Sequence, residues 1–245
     1  MGKIIKKRVF IIFFSVFISF TVYIGQNTQV NDRNERSIRD AVQVTSLPVS
    51  GKTVVLDAGH GTPDEGAQSS TGTTEAETNL KIALKLQNLL ETNGCTVVLT
   101  RSDENAIYDL DKTTLREKKI SDIHNRVKIG NESSADIFVS IHLNKIPQQQ
   151  YWGWQCFYKN GDEKSIHLAK KIQNGLNESI QKENKRVAMK LDTVYIMKHV
   201  EIPISIVECG FLSNPEEEKQ LLQDEYQNQL AWGIYTGIVD YFNAS

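Results

Sequence analysis

The chain has 245 residues, enough for one large domain or two small ones. Its 28 Lys and Arg against 30 Asp and Glu give a formal net charge of −2, and four of the basic residues lie within the first eight positions. The rest of the chain carries 24 basic and 30 acidic residues, a net charge of −6, which argues against nucleic acid as a partner.

An apolar run from Val9 to Ile24 follows the basic residues of the N-terminus. That order is typical of a secretory signal, and 16 apolar residues are marginal for spanning roughly 30 Å of hydrocarbon. No small-residue cleavage site follows, so the pattern favours an uncleaved membrane anchor over 1–25 rather than a cleaved signal peptide. The basic cluster then stays on the cytoplasmic side and the rest is exported. Residues 26–50 are polar and aperiodic, and we interpret them as a tether.

From residue 52 onward, short β-rich runs alternate with helical ones. Strands are predicted at 53–57, 95–100, 136–142, 154–158, 193–197 and 203–209, and helices at 74–94, 115–133, 163–181 and 216–242, the last broken near Gln223–Asp224. Thr74 and Glu77 predict a capping box at the start of the first helix. The alternation predicts one α/β domain over 51–245, with a mostly parallel twisted sheet flanked by helices.

Candidate chemical groups share one edge of this predicted sheet. His60 comes shortly after the first strand, His142 ends the strand at 136–142, and Glu208 lies near the end of the strand at 203–209. Glu75 opens the helix that follows the His60 loop. Ligands of open α/β sheets bind beyond the carboxyl ends of the strands. Two histidines and a carboxylate can hold zinc with one position open, and Glu208 could then move a proton from water to a leaving amine.

Each of these residues also has a simpler interpretation. His60 alone is most often a surface or capping residue, and Glu75 alone is a helix N-terminal acid. His142 and Glu208 follow strongly apolar runs, where a buried polar group needs a partner or a function.

Three further acids near His60 compete with Glu75 as the carboxylate ligand. Asp57 is better placed to orient His60 from behind than to bind the metal. Asp64 and Glu65 lie in a turn and are expected to be solvated.

The remaining cysteines and histidines are interpreted as structural. Cys95, Cys156 and Cys209 are far apart and lack a C-x-x-C pair, which favours buried thiols over a disulfide framework or a thiolate metal site. His124, His167 and His199 lie in helical or polar contexts and are expected to be structural or solvated.

Four motifs in order resemble the zinc-dependent N-acetylmuramoyl-L-alanine amidases of bacterial cell walls, the Amidase_3 family. They are LDAGHG with the following EGA, then TEAETNL, ADIFVSIHLN and IPISIVECGFLSNPEE, within a similarity that covers about 52–243. The resemblance implies a phosphorylase/hydrolase-like α/β domain, Zn2+ held by His60, Glu75 and His142, and Glu208 as general base and then acid. The implied substrate is peptidoglycan, cut between the lactyl group of N-acetylmuramic acid and L-alanine of the stem peptide.

The chain departs from the family pattern at Thr62 and Glu65, where small residues are usual, and at Ala76, where lysine is common. A membrane signal ahead of one catalytic domain resembles the germination-specific members of spore formers, which implies muramic-δ-lactam formation in spore cortex together with a deacetylase. Two alternatives stay open. One is a zinc peptidase that cuts within the stem peptide, and the other is a wall-binding protein that is inactive or needs an accessory activator protein to load zinc.

Overall fold

The computed structural model describes residues 47–244, so the predicted anchor over 1–25 and most of the predicted tether lie outside the described residues. In chain order the elements are β1 (Thr53–Ala58), α1 (Glu75–Thr92), β2 (Thr96–Leu99), α2 (Leu115–Glu132), β3 (Ile137–Asn144), β4 (Gln155–Tyr158), α3 (Glu163–Ser179), β5 (Met189–Lys190), α4 (Tyr195–His199), β6 (Ile204–Phe211), α5 (Pro215–Leu221) and α6 (Asp224–Asn243).

The strands form one sheet in the order β2-β1-β3-β6-β4-β5. The strands β2, β1, β3 and β6 are mutually parallel, and β4 pairs antiparallel with β6 and parallel with β5. This confirms the predicted α/β class with a mostly parallel sheet. Because β1, β3 and β6 run the same way, their carboxyl ends meet at one edge of the sheet.

Helices cover both faces of the sheet, as predicted. Side chains of successive strand residues point to opposite faces, so Val54 and Leu56 belong to one cluster of core side chains while Val55 belongs to the other. The larger cluster includes residues of α1, α3 and α6, and the smaller one includes residues of α2 and α4. Each fully buried aliphatic side chain contributes about 1.5–3 kcal/mol, and this packing holds the strand ends in fixed register.

The prediction of a strand at 193–197 was wrong. Residues Tyr195–His199 form the helix α4, with Ile196 and Met197 buried in the smaller cluster. Short apolar runs carry no period long enough to distinguish strand from helix. The outer edge of β4 is instead taken by β5, which pairs Phe157 with Met189 and was not predicted.

Helix ends follow the predictions in part. Thr74 accepts a hydrogen bond from the backbone N–H of Glu77, but the Glu77 carboxylate binds Lys81 at 2.6 Å, so only half of the predicted capping box forms. A complete box occurs at α2, between Thr114 and Glu117. The predicted break between the last two helices is confirmed at residues 222–223.

The three cysteines are buried and carry free thiols, which confirms their structural interpretation. Burial raises the pKa of the Cys95 thiol to about 11. Across residues 47–244, every helix is too short or too polar to cross a membrane.

Candidate metal centre

Three side chains from three separate elements converge at the carboxyl edge of the sheet. His60 lies in the loop after β1, Glu75 is the first residue of α1, and His142 lies in β3. One ligand atom from each lies within 4.8 Å of the others, and within residues 47–244 this is the only such group of three or more histidine, cysteine or acidic side chains. The structure thus brings together the three residues that the sequence singles out as ligands.

Glu75 is the hub of this cluster. Its Oε1 lies 2.9 Å from His142 Nδ1 and 3.3 Å from His60 Nε2, and the two imidazole rings meet edge to face with centroids 5.2 Å apart. The backbone N–H groups of Ala67 and Leu143 donate to Oε2 and Oε1 at 2.8 and 3.1 Å. Glu75 is 4% exposed, so its carboxylate is held rigidly and largely out of water.

The charges at the cluster favour a cation. Burial lowers the pKa of His60, but hydrogen bonds with Asp64 and Glu75 outweigh it and raise that pKa to about 9. Burial raises the pKa of Glu75, but hydrogen bonds with His142 and His60 outweigh this and hold it far below its usual range. The carboxylates therefore stabilise positive charge at the point where the ligand atoms converge, which is what a divalent cation requires.

The acid that orients His60 is Asp64, so the prediction of Asp57 for this role was wrong. His60 Nδ1 lies 3.0 Å from Asp64 Oδ2, which also lies 3.0 Å from Lys119 Nζ. Asp57 stands opposite Ser140 in the β1–β3 register and accepts hydrogen bonds from Ser140 and Thr100 inside the domain. Its remaining contact is with Arg126, and it forms no hydrogen bond with the His60 ring within the described residues.

Two buried arginines hold that loop. His60 has a positive φ of 63°, which is uncommon outside glycine, and Arg126 Nη2 donates to its carbonyl at 2.5 Å. Arg101 donates to the carbonyls of Ala58 and Gly59 at 2.8 and 3.1 Å. Sequence reasoning did not assign either arginine a role, since nothing in their local pattern marks them as buried.

Glu208 lies beside the cluster in the next strand. The β3–β6 register places it opposite His142, so both side chains project from the same face. Its Oε2 is buried and has no hydrogen-bond partner in the described part of the chain. Burial raises the pKa of Glu208 to about 7. A carboxyl group in this state can both accept and release a proton near neutral pH.

The two unusual residues of the turn pair with each other. Thr62 Oγ1 donates to Glu65 Oε1 at 2.7 Å at the surface, and neither belongs to the ligand cluster. Glu65 is exposed, as predicted, whereas Asp64 is only partly so. Ala76 is 3% exposed and its carbonyl accepts from Arg101, so a lysine side chain at this position would not fit without rearrangement.

The remaining histidines lie outside the cluster. His124 and His199 are exposed and contact the ring of Tyr195, and His167 is half-buried against Tyr241. Their positions agree with the structural or solvated role expected of them.

Comparison with known proteins identifies one family. Residues 54–240 match the Amidase_3 family, described as N-acetylmuramoyl-L-alanine amidase. The germination-specific N-acetylmuramoyl-L-alanine amidase of Bacillus subtilis (strain 168) is 35% identical over 206 residues, covering 84% of this chain and 86% of the relative.

Solved structures agree with this match. The CwlD amidase from Clostridioides difficile, solved in complex with the GerS lipoprotein, is 42% identical with a TM-score of 0.78, covering 80% of this chain and all of that one. An N-acetylmuramoyl-L-alanine amidase from Clostridium difficile 630 is 31% identical with a TM-score of 0.70, covering 79% of this chain and 98% of that one.

Proposed function

The chain belongs to the Amidase_3 family of N-acetylmuramoyl-L-alanine amidases, which act on peptidoglycan, and we propose that it works as a zinc enzyme. In this proposal His60, Glu75 and His142 hold the ion and Glu208 moves the proton. The observation that carries it is the convergence of three ligand atoms, from a loop, a helix and a strand, within 4.8 Å.

The residues present fit a catalytic zinc ion. Two imidazole nitrogens and one carboxylate oxygen are a ligand set that leaves one position open. The second ring nitrogen of His60 is bound by Asp64, an arrangement that orients metal-binding histidines in many proteins. When bound, zinc would supply a Lewis acid that polarises the amide carbonyl and lowers the pKa of water.

Glu208 supplies the proton transfers of the proposed hydrolysis. Its Oε2 accepts a proton from the attacking water as the water oxygen adds to the lactyl carbonyl carbon. The carbon–nitrogen bond then breaks, and the same oxygen gives the proton to the departing amino nitrogen of L-alanine. The products are a lactyl carboxylate and a stem peptide with a free amino terminus.

Analysis of digestion products tests the reaction. The full-length protein, loaded with zinc and incubated with purified peptidoglycan, is expected to release intact stem peptides, identified by mass spectrometry. Free D-alanine or stems cut internally would instead establish the peptidase alternative. Binding to the wall without any cleavage, at full zinc occupancy, would favour the wall-binding alternative.

Removal of the metal should abolish turnover reversibly. A chelator is expected to reduce peptide release to background, and added zinc should restore it, because the two imidazole ligands bind zinc well and magnesium poorly. Added magnesium serves as the matched control and should not restore activity. Full activity in chelated protein that is free of zinc by elemental analysis would contradict the proposal.

A methyl group at Gly59 should displace one proposed ligand. A Cβ built on Gly59 would lie 2.2–2.7 Å from three atoms of the His142 ring, which is closer than real contacts allow. Gly59→Ala is therefore expected to weaken zinc binding at least about 10-fold, measured by calorimetric titration.

Gly161→Ala provides the control for that variant. Its added methyl meets no atom within 4 Å, although its φ of 75° makes any side chain unfavourable. We expect it to lower the free energy of unfolding by about 1–2 kcal/mol while zinc affinity stays unchanged. Unchanged zinc affinity in Gly59→Ala would mean that His142 is not a ligand.

The finer biological role is also a proposal. The Bacillus subtilis relative is named as germination-specific, which supports a role in forming muramic-δ-lactam in spore cortex after export of the domain. Lactam formation needs muramic acid from which the stem peptide has been removed, and this is the product of the proposed reaction. Spores that lack the protein should therefore contain cortex without muramic-δ-lactam in muropeptide analysis, and unchanged cortex would reject this role.

We extend the proposal to a membrane anchor over 1–25 and to an accessory lipoprotein. The CwlD amidase structure, which was solved with the GerS lipoprotein, supports the proposal of such a partner. Co-purification from sporulating cells, with elemental analysis of zinc in the complex and in the chain alone, tests it. Equal zinc content in both samples would exclude a role for the partner in loading.

A further inference from the structure

Arg186 and two aromatic rings form a cluster beside β4 and the end of β6, and the proposed proton transfers do not use it. Arg186 is its half-buried centre, with Cζ 4.8 Å from the ring centroid of Phe211 and 5.9 Å from that of Tyr151. Phe211 is 3% exposed yet belongs to neither cluster of core side chains. The guanidinium of Arg186 therefore covers the ring of Phe211.

Strand register brings Arg186 close to Glu208. Gln155 on β4 is directly opposite Glu208 on β6, and opposite residues of paired strands project from the same face. Arg186 Nη1 donates to Gln155 Oε1 at 3.4 Å, and Nε donates to the Trp152 carbonyl at 3.3 Å. The register therefore places Gln155, which Arg186 binds, one strand away from Glu208 on the same face of the sheet, and neighbouring strands lie about 4.8 Å apart.

A bulge in β6 places Phe211 on the face of the sheet from which Glu208 projects. His142 pairs with Glu208, but Asn144 pairs with Phe211, so β6 has one residue more than β3 over this stretch. The extra residue returns Phe211 to the face from which Glu208 projects. The guanidinium that covers Phe211 consequently lies over the catalytic side of the sheet.

Arg186 forms no direct ion pair with an acidic side chain in the described part of the chain, although its charge acts on the buried Glu217 carboxylate and opposes the rise that burial causes in the pKa of that group. No carboxylate within residues 47–244 lies within 4 Å of it, and its Nη2 has no hydrogen-bond acceptor there. The buried carboxylate of Glu217 already accepts from the backbone N–H groups of Gly153 and Phe211, each at 2.8 Å. A guanidinium fixed along one edge, with donors left over, is well suited to bind a carboxylate.

We propose that Arg186 binds the α-carboxylate of the second stem-peptide residue, D-isoglutamate, an inference that rests on the proposed amidase function. The carboxyl group of L-alanine is part of a peptide bond, so the second residue carries the first free carboxylate beyond the cleaved amide. Two residues span at most about 7 Å, enough to cross the single strand spacing between Glu208 and Gln155, the residue that Arg186 binds. The site accordingly prefers stems with a free carboxylate over stems amidated to isoglutamine.

If the role of Arg186 is purely structural, a different result is expected. It would cover Phe211 and offset the charge of Glu217 without contacting substrate, so its loss would affect acidic and amidated ligands equally. The comparison of the two ligands therefore separates the roles.

The test measures binding in the full-length, zinc-loaded protein carrying Glu208→Gln, which prevents turnover. Calorimetric titration uses N-acetylmuramoyl-L-alanyl-D-isoglutamate and its isoglutamine twin, each with the γ-carboxyl group blocked as an amide, as it is in the stem peptide. The ligand with the free α-carboxylate should bind about 10- to 100-fold more tightly. Adding Arg186→Gln should abolish this preference. Lys185→Gln is the matched control, because Lys185 is an exposed neighbour that pairs with Glu183 at 3.5 Å, and the preference should survive it.

Two results would overturn the proposal: a preference that persists in Arg186→Gln, or an equal loss for both ligands. Thermal unfolding and zinc content verify that the variant is folded. If it is not, Arg186→Lys carries the test and should keep the charge but lose most of the preference, since a single ammonium cannot form the forked contact. Failure of the amidase proposal is seen separately, as absence of peptide release by the unsubstituted protein.

Discussion

Glu208→Gln is expected to lower peptide release from peptidoglycan by about 10²–10⁴-fold and to leave bound zinc unchanged. The amide cannot accept a proton from the attacking water or return it to the leaving nitrogen. The three proposed ligands remain, because none of them is hydrogen-bonded to Glu208 Oε2. Release of stem peptides by mass spectrometry and zinc by elemental analysis measure the two quantities on the same preparation.

His142→Ala provides the contrast. Loss of the imidazole leaves only His60 and Glu75 as proposed ligands. It also removes the Nδ1 atom that lies 2.9 Å from Glu75 Oε1. We expect zinc and turnover to disappear together in this variant. If Glu208→Gln also loses its zinc, then Glu208 is a ligand and its role as proton carrier is void.

The kinetic split refines this expectation. A group that acts only in the transition state lowers kcat and kcat/KM equally, whereas a group that binds ground state and transition state alike raises KM. Glu208→Gln should therefore change kcat and leave KM nearly constant. Arg186→Gln should raise KM for acidic stems, so the two variants give different signatures.

Much of the site was predictable from sequence because strand ends are predictable. Apolar runs that end in a polar residue identify β1, β3 and β6, and parallel pairing brings their carboxyl ends to one edge. Parallel pairing brings His142 and Glu208 to the same edge, and the observed β3–β6 register sets them opposite each other. Glu75 joins them because the helix after the His60 loop begins with it.

Side-chain direction was not predictable in the same way. Asp57 and Asp64 are both close to His60 in sequence. Asp57 accepts a hydrogen bond from Ser140 on the neighbouring strand, whereas Asp64 binds the His60 ring across the turn. The short run at 193–197 has strand-like composition, yet Tyr195–His199 form a helix whose Ile196 and Met197 pack into the smaller cluster. Arg126 could not be identified as buried, since its partners lie on distant segments.

Arg126→Met is expected to lower the free energy of unfolding by about 3–5 kcal/mol, a large share of the 5–15 kcal/mol typical of a domain. Arg126 is 3% exposed, and its guanidinium donates to Asp57 Oδ1 at 2.6 Å and to Asp122 Oδ2 at 2.8 Å. Methionine leaves both acids buried without their cation. Urea unfolding followed by circular dichroism measures the change.

A matched control uses the same type of substitution at the surface. Lys81→Met removes an exposed ion pair with Glu77, 2.6 Å long and one turn apart on α1. Exposed helix pairs contribute about 0.3–0.5 kcal/mol, so this variant should unfold almost as the unsubstituted protein does. A comparable loss in both variants would show that burial is not the cause.

The pH dependence identifies the charge of Asp57 as part of this effect. Burial raises the pKa of Asp57, but the charge of Arg126 and a hydrogen bond from Ser140 outweigh it and lower that pKa to about 2. A lowered folded-state pKa contributes stability above the unfolded value near 4, and this contribution is lost as pH falls toward 2. The stability difference between Arg126→Met and the unsubstituted protein should therefore be largest at pH 7 and shrink below pH 4.

A double variant tests whether the uncompensated charge causes the loss. Adding Asp57→Asn to Arg126→Met removes one buried carboxylate, so it should recover part of the stability instead of adding a second penalty. Zinc affinity should stay reduced in both, because Arg126 no longer binds the carbonyl of His60, and groups that orient a metal ligand typically change affinity 10- to 100-fold. Strictly additive losses in the free energy of unfolding would mean that Asp57 and Arg126 act independently. Zinc affinity equal to that of the unsubstituted protein would mean that His60 keeps its positive φ without Arg126.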